Sequence, residues 1–295
     1  MRTWPDGKFH VIHCDVGQGD AVVITYNFTQ VLIDSGRDDR VVQCLERYLP
    51  FTDKTLEFVI ATHPDNDHIG GFPAVFEQYR VSHLFLLEAV KDTKISQRLH
   101  ADVVRLRLKG TSIQLAEANQ RLVLGPFAEL IVLFPLKKVG KIEHFYTQIS
   151  ETQLSALEKE QSAYIKSVND VSIATKLVVG KHTHLLMADV EKGGELALLS
   201  KGVIPDVDIL KAGHHGSNTS STIDFLNASR PEYIVISSGK NNQYGHPHPK
   251  VIERIEALSS RVLRTDLDGD IEWISDGTTY QWKTSRNNRK VSHEF

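Results

Sequence analysis

Four clusters of histidine and acidic residues each begin where an apolar run of strand length stops, and a helical pattern follows each one. That placement limits the chain to folds that gather the ends of several strands at one edge, where loops on a rigid scaffold carry chemistry. The clusters are His63-Pro-Asp65-Asn-Asp67-His68 after residues 56–61, Asp189 after 184–187, His214-His215-Gly-Ser217 after 207–210, and Tyr244-Gly-His246-Pro-His248-Pro249 after 233–237.

The spacing predicts strands at 9–14, 21–26, 30–33, 56–61, 81–87, 121–124 and 129–134, then at 171–179, 184–187, 207–210, 233–237, 262–265 and 271–274. Helical spacing appears at 38–49, 69–79, 91–109, 191–200, 221–228 and 250–258. A strand-rich half with helices is thus followed by a second half of the same kind. No linker rich in Pro, Gly or Ser separates them, so one four-layer αββα domain over residues 1–284 is the simplest architecture. Residues 137–166 are polar and read as an insertion, and 285–295 as a polar, loosely held tail. No apolar run approaches the ~18 residues of a membrane span, and the N-terminus lacks the apolar core of a signal peptide. A soluble, cytoplasmic protein is expected, with Cys14 and Cys44 as reduced, buried thiols. The net charge of −3 does not by itself announce a nucleic-acid partner.

The 63–68 cluster carries the strongest chemistry. In an extended loop alternate residues face one point, so His63, Asp65 and Asp67 can converge, and His68 turns in as the helix begins. Imidazole suits zinc, iron and manganese, whereas carboxylate favours harder ions such as manganese. A helix cap would explain one aspartate, not four ligands in six residues. Asp189 can bridge two metals or cap the helix after it. Of His214 and His215, one can face a metal and the other a substrate, and the neighbouring glycines allow a ligand to approach closely. Prolines stiffen the loop that carries His246. His182 and His184 read as strand-surface residues, residues 266–270 as a hairpin turn rather than a calcium loop, and Gly17-Gln-Gly19 as a turn without a dinucleotide fingerprint.

The 63–71 motif, with His13–Asp20, Leu32–Gly36, Asn169–Ser172, Asp189, Leu210–Ser217, Tyr244–Pro249 and Asp268–Gly277, is similar to the metallo-β-lactamase superfamily, in the branch of the ComEC/Rec2 nuclease domain. The resemblance implies a two-metal site holding manganese or zinc. His63 and Asp65 would hold one ion and Asp67 and His68 the other, with Asp189 bridging. His246 matches the last ligand, and His214 or His215 sits where related phosphodiesterases place a ligand or a proton donor. Asp65 replaces a histidine of the general pattern, and Asn169 stands where a further histidine is usual; both changes favour manganese. The larger competence proteins carry a membrane channel, and this chain looks like a free-standing relative without one.

The implied activity is phosphodiester hydrolysis, with DNA as the expected substrate and partner proteins undefined. Asp67 would orient the water, whichever of His214 and His215 is not a ligand would protonate the leaving oxygen, and Lys211, Ser217 and His248 are candidate substrate contacts. Basic residues in 91–109, Lys137, Lys138, Lys141, Arg286, Arg289 and Lys290 could follow a nucleic-acid backbone. A small phosphodiester, lactone or amide is the alternative substrate class, and a non-catalytic metal-binding regulator is a third reading.

Overall fold

The computed structural model describes residues 5–87, 91–136, 167–204, 206–286 and 291–293. Its first half contains β1 (Phe9–His13), β2 (Val22–Tyr26), β3 (Thr29–Ile33), α1 (Arg40–Tyr48), β4 (Thr55–Ala61), α2 (Asn66–Ile69), α3 (Phe72–Gln78), β5 (Arg80–Leu86), α4 (Lys94–Leu108), β6 (Ser112–Leu115), β7 (Arg121–Gly125) and β8 (Ala128–Phe134). The second contains β9 (Ala174–Val179), β10 (His182–Leu186), α5 (Lys192–Ser200), β11 (Ile209–Lys211), α6 (Ile223–Ser229), β12 (Tyr233–Ile236), α7 (Pro249–Glu256), β13 (Arg261–Arg264), α8 (Thr265–Asp268), β14 (Ile271–Ser275), β15 (Tyr280–Thr284) and β16 (Val291–His293).

Two mixed sheets form the centre, with described strand orders β16-β15-β14-β1-β2-β3-β4-β5-β6 and β13-β12-β11-β10-β9-β8-β7. Alternation along β1 shows how the layers pack. Phe9 and Val11 enter the core between the sheets with Leu130, Leu177, Leu185 and Trp273. Ile12 faces the other way, into a second core with Leu45 of α1, Val75 of α3 and Val103 of α4. Leu198, Phe225 and Val251, on α5, α6 and α7, join the first core. The αββα sandwich expected from sequence is therefore the observed fold.

Several local expectations are corrected. The pattern over 69–79 is not one helix but α2 and α3, broken at Gly70-Gly71. A Cβ on Gly70 would strike the Arg37 carbonyl, and one on Gly71 the Ser35 carbonyl, so this pair lets the ligand loop lie against the loop after β3. Residues 266–270 do not close a hairpin, because β13 and β14 belong to different sheets and α8 carries the chain across. Val291–His293, assigned to a loose tail, pairs antiparallel with β15. The expected insertion at 137–166 lies outside the described residues. No described helix is long and apolar enough to cross a membrane.

Cys14 and Cys44 are not free thiols: they form a disulfide with a Cα–Cα distance of 6.1 Å. The end of β1 and the inner face of α1 share the second core, and that brings the two side chains together. Thiol titration of denatured, unreduced protein should find no free cysteine, and reduction should destabilise the fold by about 3–4 kcal/mol for a loop of this length. Two reactive thiols before reduction would contradict the bridge.

His182 and His184 are buried rather than on the strand surface, and His184 packs edge-on against Trp273, with ring centroids 4.4 Å apart. Neither nitrogen of His184 or of His13 makes a hydrogen bond. Burial, reinforced by the charge of Lys211, drives His13 down to about 3, and burial lowers His184 as well. The unfolded chain takes up these protons below about pH 6.5 and the folded chain does not, so their effect is to reduce stability as pH falls from 6.5 towards 3. Urea unfolding at pH 6.5 and 4.5 should show His13→Leu losing about 2–3 kcal/mol less than the parent over that interval. Parallel losses in the two proteins would refute this assignment.

Candidate metal centre

The C-terminal ends of β4, β10, β11 and β12 meet at one edge of the sandwich. In the second sheet β10, β11 and β12 are parallel neighbours, so Asp189, the His214-His215 turn and the His246 loop leave it on the same side. Across the sandwich, β4 delivers His63, and α2 holds Asp67 and His68 in its single turn. His214 and His215 lie in a tight left-handed turn with φ of 45° and 55°, and Ala188 has φ of 46°. Such left-handed non-glycine residues each cost on the order of 1–3 kcal/mol, and they cluster where a site requires them.

Asp189 is the shared element. Its Oδ2 is 3.7 Å from His63 Nε2 and 3.8 Å from His214 Nε2. Its Oδ1 is 3.1 Å from His68 Nε2 and 3.5 Å from His215 Nε2, which is also 3.5 Å from Asp67 Oδ2. Asp65 Oδ2 lies 3.8 Å from His63 Nε2. The buried Nε2 atoms of His63, His68 and His215, together with Asp189 Oδ1, make no hydrogen bond. Buried polar atoms are rarely left so. Donor atoms spaced 3–4 Å apart around common points, rather than paired, fit a ligand set for cations. Among the described residues, donors within 4.8 Å of one another form the groups His63/His68/Asp189, Asp67/His68/His215, Asp20/Asp189/His215 and Asp20/Asp34/His68. Asp65, His214 and His246 fall outside these groups.

The outer ring nitrogens are fixed. His68 Nδ1 lies 2.7 Å from Asp34 Oδ2, and Asp34 is itself held by the Thr62 amide and hydroxyl. His215 Nδ1 donates to the Ser237 carbonyl at 3.0 Å, and His214 Nδ1 lies 2.8 Å from Glu191 Oε1. Each contact turns an Nε2 towards Asp189, as outer partners of metal-binding histidines do.

Electrostatics fit the same picture. Burial opposes charge on His68 and His215, but the carboxylates win: Asp189 and Asp34 raise His68, and Asp189 and Asp20 push His215 up to about 10. Burial and the neighbouring charge of His68 lower His63. Burial, with the charges of His215 and His214, brings His246 down to about 4, which suits it to a neutral role.

Other expected residues take different places. Lys211 is buried, its ammonium bound to Asp20 and, at 3.2 Å, to the Ala188 carbonyl, so it braces the site and is not open to a phosphate. Ser217 Oγ lies 2.9 Å from Thr219 Oγ1. His248 Nδ1 accepts the Lys250 amide and caps α7. His246 packs its ring beside His214 and His215, with centroids 5.6 and 6.4 Å away, and beside half-exposed Tyr244. In 91–109, Lys91 pairs with Asp65, while Arg98 and Arg105 pair with Asp102. Arg286 pairs with Asp15; Lys137, Lys138, Lys141, Arg289 and Lys290 lie outside the described residues.

Sequence reasoning misses Asp20, Asp34 and Glu191 as parts of the site and reads Lys91 only as a possible nucleic-acid backbone contact. The signal for Asp20 was the Gly-x-Gly-Asp turn: Gly19 has φ of 137°, and a Cβ there would run into the Asp67 carbonyl.

The chain belongs to the metallo-β-lactamase superfamily, whose sequence pattern matches residues 14–239. Within it the chain stands on the ComEC/Rec2-like branch. It is 31% identical over 283 residues to ComE operon protein 3 of Bacillus subtilis, covering 88% of this chain and 32% of that one. It is 26% identical over 262 residues to Recombination protein 2 of Haemophilus influenzae, covering 87% and 28%. The chain therefore spans about a third of the length of these relatives. The fold is similar to that of YhfI of Bacillus subtilis, with a TM-score of 0.56, 13% identity and coverage of 90% of this chain and 100% of that one. It is also similar to CmlA β-hydroxylase, with a TM-score of 0.52, 14% identity and coverage of 92% and 54%.

Because Asp34 fixes His68 with Nε2 facing Asp189, Asp34→Asn should weaken Mn²⁺ binding by about 10–100-fold. Calorimetry on chelator-stripped protein measures this directly; unchanged affinity would show that His68 is oriented without Asp34.

Proposed function

We propose that this protein is a metal-dependent phosphodiesterase that hydrolyses DNA. The observation that carries the reading is the division of donors between the two oxygens of Asp189: His63 lies on one, His68 and His215 on the other. Asp65 adjoins His63 and Asp67 adjoins His215, so two half-sites share one carboxylate. His246, whose buried Nδ1 lacks a hydrogen bond, is the remaining donor beside His215. Donor sets that mix imidazole with carboxylate in this way suit manganese as well as zinc. Two divalent ions held here would supply Lewis acidity at the attacking and leaving oxygens of an in-line displacement.

The chain's own residues do the rest. Asp67 orients the attacking water through the carboxylate oxygen nearest His215. His214 is the proton donor to the leaving oxygen: its Nδ1 is held by Glu191, and Thr219 Oγ1 donates to the same carboxylate oxygen at 2.8 Å. A carboxylate behind an imidazole fixes its orientation, as general-acid work requires. DNA is the proposed substrate because relatives on this branch are named for competence and recombination.

Mn²⁺-loaded protein should cleave DNA, and Asp67→Ala or Asp189→Ala should abolish cleavage while the circular dichroism stays native. Loaded protein that leaves single- and double-stranded DNA intact would sink the DNA reading. Turnover confined to chromogenic phosphodiesters or lactones would point to a small substrate instead.

A further inference from the structure

Lys91, just before α4, reaches across to α2 and pairs its ammonium with Asp65 Oδ1. The other Asp65 oxygen faces His63 Nε2. One carboxylate thus serves both a lysine and the His63 half of the centre. The Lys91 side chain is 35% exposed and that of Asp65 26%, whereas those of His68 and His215 are at most 1% exposed. Lys91 and Asp65 therefore lie on the exposed rim of the cluster, as do Asp67 and His214, 21% and 24% exposed.

Charge explains why a cation belongs there. Asp65 stands where the superfamily pattern has a neutral imidazole, so this half-site carries an extra negative charge, and Lys91 offsets it. A metal ion binding beside His63 must share Asp65 with the ammonium and is repelled by it. A phosphoryl group at the rim offers the ammonium another partner.

We propose that Lys91 is a specificity-determining residue that binds an oxygen of the substrate phosphoryl group and, in turning from Asp65, couples substrate binding to cation binding at His63 and Asp65. This rests on the phosphodiesterase reading above. Coupling of this kind is reciprocal: whatever factor the anion adds to metal affinity, the metal adds to anion affinity. The half-site around Asp67, His68 and His215 has no lysine on the Asp67 carboxylate among the described contacts, so on this proposal Lys91 does not weaken it.

The test is a Mn²⁺ titration of chelator-stripped full chain by calorimetry, with bound Mn²⁺ counted by electron paramagnetic resonance, with and without thymidine monophosphate. The parent should show a tight and a weak event, the weak one tightened roughly tenfold by the nucleotide, as expected for one charge a few ångström away. Lys91→Met should bind the weak ion roughly tenfold tighter without nucleotide and lose the nucleotide effect. Lys91→Arg, which keeps the charge, should behave as the parent. A Lys91→Met isotherm that superimposes on the parent's, or a parent isotherm indifferent to nucleotide, would overturn the proposal. Hydrolysis of bis(p-nitrophenyl) phosphate by the parent reports separately on the phosphodiesterase reading, so the two can fail independently.

Discussion

The Asp189 carboxylate, buried at the end of β10 with one oxygen turned towards each half of the centre, is the contact around which the rest is arranged. Loops from both sheets converge on it. The left-handed turn at His214 and His215 and the positive φ of Ala188 are backbone strain accepted to bring ring nitrogens within 4 Å of its oxygens. Three fixed outer contacts, to Asp34, Ser237 and Glu191, keep those rings aimed. The fold positions the centre by making every ligand loop the continuation of a strand.

Burying so many ionisable groups is costly unless they neutralise one another. Here the compensation is local. Asp20 is held below its usual range against the cost of burial by Lys211, His215 and His68. Asp67 is brought down to about 2, again against burial, by His215 and His68. Without metal the interior is thus an alternation of carboxylates and cationic side chains. Lys211 belongs to this framework: it ties the turn after β1 to β11, and so the first sheet to the second.

Much of this was legible in the sequence. His63, Asp67, His68, Asp189 and His215 could be named because each follows an apolar run and each is of a type that binds metal. The face that a residue presents was harder to read. Strands buried on both sides lose their alternation, so nothing local said that His184 and Lys211 point between the sheets. Asp20 and Asp34 sit in turns whose composition suits any hairpin, and only the approach of α2 gives them a role. The Cys14–Cys44 bridge likewise depends on β1 and α1 packing into one core, which spacing cannot report. Strand β15 was overlooked although Tyr280, Trp282 and Thr284 alternate with polar residues, and the three residues of β16 are too few to show a period.

The crossing through α8 bears on the order in which the molecule can be completed. β14 lies against β1, and β15 and β16 extend that edge, so the nine-stranded sheet joins strands from both ends of the described fold. His63 to His68 emerge early in synthesis, Asp189 and His246 much later, and β1 keeps an open edge until residue 271 has followed. Pairings this distant in sequence are slow to form, because loop closure comes before any contact rewards it. A metal ion arriving early meets only half of the proposed ligand set, which is complete only once the loops of the second sheet have met those of the first.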